Sequence, residues 1–124
     1  MYRLTVKGSF SAAHRLPDHP SPCSRLHGHN WEVAVTVIGE ELGPDGMLLD
    51  FAVLKQILRE VLAKLDHQYL NELPPFGKEF PPTAENLARY IYHEVAARLA
   101  SYSAVTLQEV RVGESPSAWV VYTP

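Results

Sequence analysis

The sequence predicts an α+β fold, a four-stranded antiparallel sheet with two helices on one face and the element order β-β-α-α-β-β. Two long segments near the start of the chain and two shorter ones near its end alternate apolar and polar residues, the period of a half-buried strand. The segments between them carry apolar residues at helical spacing. Because neighbouring strands are joined as hairpins, we expect them to run antiparallel and to leave one face of the sheet for both helices.

The first two strands are expected to form a long hairpin. Apolar residues alternate from Tyr2 to Ala13, and Gly8 within this segment predicts a bulge. Residues 15–26 follow as a polar loop with three prolines, a composition that favours neither a strand nor a helix. The second strand begins at His29, and one face of it carries Trp31, Val33, Val35 and Val37.

Two helices are predicted from apolar residues three and four positions apart. The first spans about residues 51–65 and follows Asp50, its expected N-cap. Its inward face would carry Phe51, Leu54, Leu58, Val61, Leu62 and Leu65. The second follows Thr83, its expected cap, and ends near Ser101. Its inward face would carry Leu87, Ala88, Ile91, Val95 and Leu99.

The last two strands are expected to form a second, tighter hairpin. Val110 and Val112 are in phase in the first of them, and Val120 and Tyr122 are in phase in the second. The turn Ser115-Pro116-Ser117 lies between them. Such a short connection requires the two strands to be antiparallel neighbours.

Length and composition restrict the class of protein. The chain has 124 residues, of which 46% are hydrophobic and 20% charged, and this predicts one globular domain over residues 1–124. The formal net charge is −3 and there is no basic run, so we expect no nucleic-acid partner. The single cysteine and the absence of a glycosylation sequon favour the cytoplasm, and we expect neither a membrane span nor a targeting signal.

Three histidines are predicted to meet at one end of the first hairpin. His27 and His29 alternate along an extended segment and therefore point the same way. An antiparallel partner strand can bring His14 to the same face. Neutral imidazole is a good ligand for Zn²⁺, and three protein ligands leave a fourth tetrahedral position open, as in catalytic sites. We therefore predict a zinc site at His14, His27 and His29.

Cys23 lies in the proline-rich loop, four residues before His27. A polar loop is a poor place for a buried, purely structural cysteine. Two other interpretations remain open from the residues alone. The thiol is either the fourth ligand of a closed structural zinc site, or a reactive group beside an open catalytic one.

Asp66, His67, Glu114 and Thr83 are weaker candidates, each with a structural alternative. His67 near the end of the first helix would interact favourably with the helix dipole, or it could be oriented by Asp66 for proton transfer. Glu114 at a strand end is either solvated or able to accept two parallel hydrogen bonds from an amino-pyrimidinone edge. Thr83 is first of all a helix cap.

These residues fall within a larger pattern of motifs that covers nearly the whole chain. In order, the motifs are Phe10-Ser11-Ala12-Ala13-His14, Cys23-x-x-x-His27-Gly28-His29-Asn30, Asp50-Phe51, Leu65-Asp66-His67-x-x-Leu70-Asn71, Pro82-Thr83-Ala84-Glu85-Asn86-Leu87-Ala88 and Glu114. With them the chain resembles the 6-pyruvoyl-tetrahydropterin synthase family. The short length of the chain is typical of the bacterial 6-carboxy-tetrahydropterin synthase branch of that family, which the chain therefore resembles most. This branch serves queuosine biosynthesis.

The resemblance implies a fold, an assembly and a set of roles. The fold is the tunnelling fold, in which the four-stranded sheets of three subunits close into a twelve-stranded barrel and two such trimers stack into a homohexamer. The family's zinc would be held by His14, His27 and His29. Cys23 would be the proton-abstracting base, and Asp66 with His67 would supply the second proton-transfer group. Substrate binding is assigned to Glu114, as the anchor of the pterin edge, and to Thr83.

The resemblance also implies a reaction on 7,8-dihydroneopterin triphosphate. In the queuosine branch the products are 6-carboxy-5,6,7,8-tetrahydropterin, acetaldehyde and triphosphate. In the pyruvoyl branch triphosphate leaves and the carbon chain stays. Some relatives have glutamate in place of the loop cysteine and release a different pterin, so Cys23 argues against that branch. A non-catalytic module with a structural zinc site is the alternative from another class.

Overall fold

The computed structural model describes residues 1–124 and contains five strands and two long helices. In chain order these are β1 (Tyr2–His14), β2 (His27–Gly39), α1 (Phe51–Ala63), β3 (Gln68–Tyr69), α2 (Ala84–Leu99), β4 (Thr106–Ser115) and β5 (Ala118–Tyr122). Two single 3₁₀ turns, Pro22–Ser24 and Leu70–Glu72, lie in the connecting loops. All four predicted strands and both predicted helices are therefore present.

The sheet has the order β3-β1-β2-β4-β5, and β1 with β2 forms its centre. These two strands pair antiparallel without interruption, from Tyr2 opposite Gly39 to His14 opposite His27. The predicted four-stranded antiparallel sheet is wrong in one respect, because β3 adds a fifth strand that runs parallel to β1 at Ala12 and Ala13. A strand of two residues is too short to show alternation in a sequence.

The predicted bulge at Gly8 is also wrong, since the β1–β2 register is continuous there. A Cβ atom at this position would lie 3.0 Å from Leu62 Cδ1 and 3.1 Å from Leu58 Cδ2. The glycine thus lets α1 approach the sheet closely. The sheet has bulges at two other places, between β2 and β4 beside Thr36 and Val37, and between β4 and β5 beside Gly113 and Ser115.

Both helices begin at the predicted caps and cover one face of the sheet. The Asp50 carboxylate accepts from Ala52 N at 2.8 Å, and the Thr83 hydroxyl accepts from Asn86 N at 3.1 Å. Helix α1 ends at Ala63, two residues earlier than expected, and Phe51 in its first turn is exposed rather than inward-facing. The remaining predicted inward positions of both helices are buried, together with Ile57.

The core lies between the helices and the sheet and has Trp31, Val33, Val35 and Val37 of β2 at its centre, all at most 2% exposed. The opposite face of the sheet carries polar and charged side chains such as Lys7, Glu32 and Arg111. None of the helices has the length and apolar character that crossing a membrane requires. The end of the β1–β2 hairpin where His14 pairs with His27 lies at the margin of this core.

Loop 15–26 is more ordered than its composition indicates. It contains the 3₁₀ turn Pro22–Ser24, and the Ser21 hydroxyl accepts from Cys23 N at 3.2 Å. The expectation that this loop forms no helical structure is wrong for that one turn. Proline at the first position of a helical turn lacks only a donor that would be unpaired anyway, and serine is a favoured cap.

Candidate active site

The three predicted histidines lie together at the end of the β1–β2 hairpin. His14 is the last residue of β1 and pairs directly with His27, the first residue of β2, while His29 pairs with Ala12. Their ring centroids are 4.5 to 5.2 Å apart. One nitrogen from each ring lies within 4.8 Å of the other two. A single ion placed between the rings is therefore within reach of all three imidazoles.

Hydrogen bonds fix the tautomer of two of these rings. The carbonyl oxygen of Pro82 accepts from Nδ1 of His14 at 2.7 Å, and that of Arg25 accepts from Nδ1 of His27 at 2.7 Å. A carbonyl only accepts, so each Nδ1 carries a proton and each Nε2 keeps a lone pair. The Nε2 atoms of His14 and His29 are buried without any partner. Buried, unpartnered ring nitrogens of this kind are what a metal ion satisfies, so the donor set fits zinc.

Burial lowers the pKa of His14 and of His29 below the usual 6.5. For His14, the charges of His27 and His29 lower the pKa further, and for His29 the charge of His27 does so. The Pro82 carbonyl at His14 and the Glu114 carboxylate near both rings act in the opposite direction, but the net shift is downward. Both imidazoles are therefore neutral at pH 7, which is the form that binds a metal.

The Cys23 thiol is not a member of this group of possible ligands, which consists of the three histidines alone. Cys23 is half-buried in the Pro22–Ser24 turn and has no disulfide partner. Three nitrogens without a sulfur favour the open site over the closed four-ligand site.

Asp66 and His67 form a hydrogen-bonded pair on the far side of β1 from β2. Asp66 Oδ1 accepts from Ser11 N at 2.9 Å, and its Oδ2 lies 2.9 Å from His67 Nδ1. His67 N also donates to Ser11 O at 2.6 Å, and the residue has a φ of 59°. A histidine in the left-handed region costs backbone energy, which these bonds to β1 offset.

The His67 ring is 82% exposed and borders a cavity of about 500 Å³ that is also lined by His29 and Asn30. The Ser11 N–H, and then the His67 ring, hold the pKa of Asp66 below its usual 3.8. Asp66 is therefore an anion at neutral pH. In that state it orients the imidazole so that the other ring nitrogen, Nε2, faces outward.

We expect the Asp66→Asn variant to be less stable than the native chain at neutral pH. A carboxylate with a lowered folded-state pKa contributes stability above its unfolded pKa and loses it as the pH falls through the folded value. The difference in melting temperature should therefore be constant at neutral and weakly acidic pH and should shrink below about pH 4. Thermal melts between pH 7 and pH 2 measure it, and Glu41→Gln, at an exposed carboxylate, is the control. A difference that does not change with pH would contradict the assignment.

Glu114 is the extra residue of a bulge between β4 and β5, where the pairing shifts between Gly113 and Ser115. Bulges re-aim single side chains and are common near active sites. Glu114 is half-buried, and its carboxylate has no hydrogen bond or ion pair within the chain. Its negative charge opposes the lowering of the pKa of His14 and His29 by burial, so the carboxylate is within electrostatic range of the histidine cluster. Thr83 is engaged as the cap of α2.

Comparison with known proteins places this geometry in a family. Residues 3–124 match the family described as 6-pyruvoyl tetrahydropterin synthase. The chain belongs to the 6-pyruvoyl tetrahydropterin synthase family. It is 38% identical to the 6-carboxy-5,6,7,8-tetrahydropterin synthase of Bacillus subtilis, over 99% of this chain and 86% of that protein. It is 39% identical to the protein of the same name from Synechocystis, over 93% of this chain and 88% of that protein.

A solved structure of the 6-pyruvoyl tetrahydropterin synthase family shares the fold. The Caenorhabditis elegans 6-pyruvoyl tetrahydropterin synthase superimposes with a TM-score of 0.84 and 28% identity, covering 99% of this chain and 95% of that chain. The tunnelling fold implied by the sequence resemblance is thereby confirmed for the subunit. Here it consists of two helices and a five-stranded mixed sheet.

Several contacts around this site could not be predicted from residue type. The Pro82 carbonyl that holds His14 is 68 residues distant and is a backbone atom. The Trp31 ring lies 5.1 Å from His14 and 5.0 Å from His29, and its Nε1 donates to Ala12 O at 3.3 Å. Trp31 was expected only as a sheet aromatic, and it also forms the apolar wall behind two of the imidazoles.

Proposed function

We propose that the protein is a zinc-dependent lyase that converts 7,8-dihydroneopterin triphosphate and one water molecule into 6-carboxy-5,6,7,8-tetrahydropterin, acetaldehyde and triphosphate, a step of queuosine biosynthesis. The observation that carries the proposal is the pair of buried, unpartnered Nε2 atoms of His14 and His29 beside His27. The relatives named 6-carboxy-5,6,7,8-tetrahydropterin synthase support the choice of product.

His14, His27 and His29 would hold the zinc through one nitrogen each. When bound, zinc supplies a Lewis acid that polarises the oxygens of the substrate side chain and acidifies the neighbouring C–H. Pro82 and Arg25 orient two of the three rings through their carbonyls. The rings are therefore prearranged for the ion.

Cys23 would remove the proton from the acidified carbon. A thiolate of modest basicity is sufficient once that carbon is activated, and a nearby cation favours the thiolate form. Asp66 and His67 would move the second proton. Because Asp66 stays ionised and accepts from Nδ1, the His67 Nε2 atom is the one that exchanges a proton with the substrate or solvent.

Glu114 would bind the amino-pyrimidinone edge of the pterin. Its two carboxylate oxygens have no partner within the chain, and two parallel N–H groups of a pterin match that geometry. Thr83, at the start of α2, is assigned to the same binding site.

We expect Glu114→Gln to weaken pterin binding and to leave the zinc content unchanged. The amide keeps the shape of the carboxylate but loses its charge and one acceptor, which corresponds to about 1.5–3 kcal/mol for a hydrogen bond to a charged group. Titration with a pterin measures the affinity, and Glu32→Gln on the opposite face of the sheet is the control. Unchanged affinity would mean that Glu114 is only a solvated residue.

The assembly is proposed to be a homohexamer of two stacked trimers. Both edges of the sheet offer backbone groups for pairing, along β1 before β3 begins and along the outer side of β5. Tyr2 on β1 and Trp119 on β5 are each 50% exposed. Pairing of one subunit's edge with the next would close the barrel, and native mass spectrometry should give six times the mass of the chain. A monomer would contradict the proposal.

The experiment that tests the function is product analysis with the zinc-loaded protein and 7,8-dihydroneopterin triphosphate. We expect 6-carboxy-5,6,7,8-tetrahydropterin and acetaldehyde by mass spectrometry. Retention of the three-carbon side chain would indicate the 6-pyruvoyl product instead, the second candidate, which the similarity to the Caenorhabditis elegans structure favours. No turnover with a full zinc complement would indicate a structural-zinc module.

A further inference from the structure

The loop that carries Cys23 is attached to the end of β1 by two hydrogen bonds. Leu16 N donates to Cys23 O at 2.8 Å, and Arg15 Nε donates to Ser24 O at 3.0 Å. The Pro22–Ser24 turn contains no buried residue. With little apolar packing to hold it, the turn depends on these hydrogen bonds for its position.

Arg15 is itself held by Asn71. The Asn71 side chain accepts from Arg15 N at 2.9 Å and donates to Arg15 O at 2.8 Å, so one amide satisfies both backbone groups. These two bonds extend the backbone pairing along this edge past Ala12 and Ala13, the residues of β1 that pair with β3. Asn71 belongs to the segment that begins with Asp66 and His67, so Arg15 joins this segment to the thiol loop.

The residue before Arg15 is the fully buried His14, whose ring is fixed by the Pro82 carbonyl. The bond from Arg15 to Ser24 therefore connects the residue next to Cys23 to the residue that follows the buried, hydrogen-bonded His14. Arg15 is exposed, and the Arg15–Ser24 bond is the only hydrogen bond of its guanidinium within the chain. Loss of the side chain would leave the turn attached to the end of β1 by the Leu16 N–Cys23 O bond alone, without opening the core.

We propose that Arg15 is a positioning residue that sets the place of the Cys23 thiol relative to the three histidines, and that Asn71 holds Arg15 for this purpose. The proposal rests on the proposed function for its catalytic consequence, but the position of the thiol is measurable without turnover. The competing role for an exposed arginine is direct contact with the triphosphate of the substrate.

The single cysteine provides the test, because alkylation by iodoacetamide reports on Cys23 alone. In zinc-loaded protein without substrate, we expect Arg15→Ala and Asn71→Ala to change the alkylation rate severalfold and to retain zinc. Arg59→Ala is the matched control, since its guanidinium bonds only to Gln56 on the surface of α1. That variant should be alkylated at the native rate.

Steady-state kinetics separate positioning from phosphate binding. Displacing a reacting group by about 1 Å can cost about a hundredfold in rate, so both variants should lose kcat while KM stays nearly constant. Asn71→Ala leaves the charge of Arg15 in place, and a fall in its kcat therefore supports positioning. An Arg15→Ala protein with native alkylation, or with raised KM and native kcat, would overturn the proposal. Absence of turnover in the native protein would refute the proposed function and leave the alkylation test intact.

Discussion

His27→Ala and His29→Ala are each expected to lose the bound zinc together with turnover. The two rings project from one strand onto one site, and no other histidine, cysteine or carboxylate lies in the group that could replace them. Changing a residue that merely supports a metal ligand typically costs about 10–100-fold in metal affinity, and removal of a ligand should cost more. Elemental analysis of the purified variants measures the zinc content.

The matched control for these variants is His93→Ala, which removes an exposed imidazole on α2 and should retain zinc. The fold should survive in all three variants, because the 26 buried apolar residues of the core do not include the histidines. Circular dichroism checks this point. Full zinc occupancy in His27→Ala and His29→Ala would refute the metal assignment.

Cys23→Ala is expected to keep its zinc and its thermal stability but to lose turnover. If the thiol is the base, only proton abstraction has lost its group, and such a group contributes about 10²–10⁴-fold to the rate. Zinc content, melting temperature and kcat measured on one preparation test this prediction. Cys23→Ser is the companion variant, because its hydroxyl preserves the shape of the side chain but is a much weaker base.

A different result would follow if Cys23 were the fourth ligand of a closed site. Zinc affinity, stability and activity would then fall together in Cys23→Ala. A zinc-depleted but folded variant would thus refute the base mechanism without affecting the family or the fold.

The strands and their buried faces could be predicted wherever buried and exposed residues alternate along the sequence. Trp31, Val33 and Val35 lie on the buried face because every second residue of β2 faces the helices. The two residues of β3 carry no such pattern, and hydrogen bonds to β1 and its end flank them on both sides, from His67 to Ser11 and from Asn71 to Arg15. Gly8 was misread because its close neighbours, Leu58 and Leu62, come from a helix fifty residues later. Phe51 was misread because residues of the first helical turn can remain outside the core.

The histidine cluster was predictable for the same reason, since strand alternation and hairpin pairing together place His14, His27 and His29. The contacts that surround the histidine cluster could not be predicted from the sequence. The Pro82 carbonyl and the Asn71 amide reach β1 across 68 and 56 residues, and the atoms they bind include backbone groups that every residue has. The bulge that aims Glu114 depends on strand register, which side-chain type does not report.

Zinc-edge X-ray absorption spectroscopy of the zinc-loaded native protein tests the central claim most directly, that three histidines hold the metal and leave a coordination position for substrate. We expect nitrogen or oxygen neighbours at about 2.0–2.1 Å, three of them imidazoles, and no sulfur neighbour. Addition of a pterin substrate should alter the spectrum, because the substrate can bind zinc at the open position. The spectrum of a closed site with four protein ligands would stay the same. A sulfur neighbour at about 2.3 Å would contradict the claim, because it would make Cys23 a ligand and close the site.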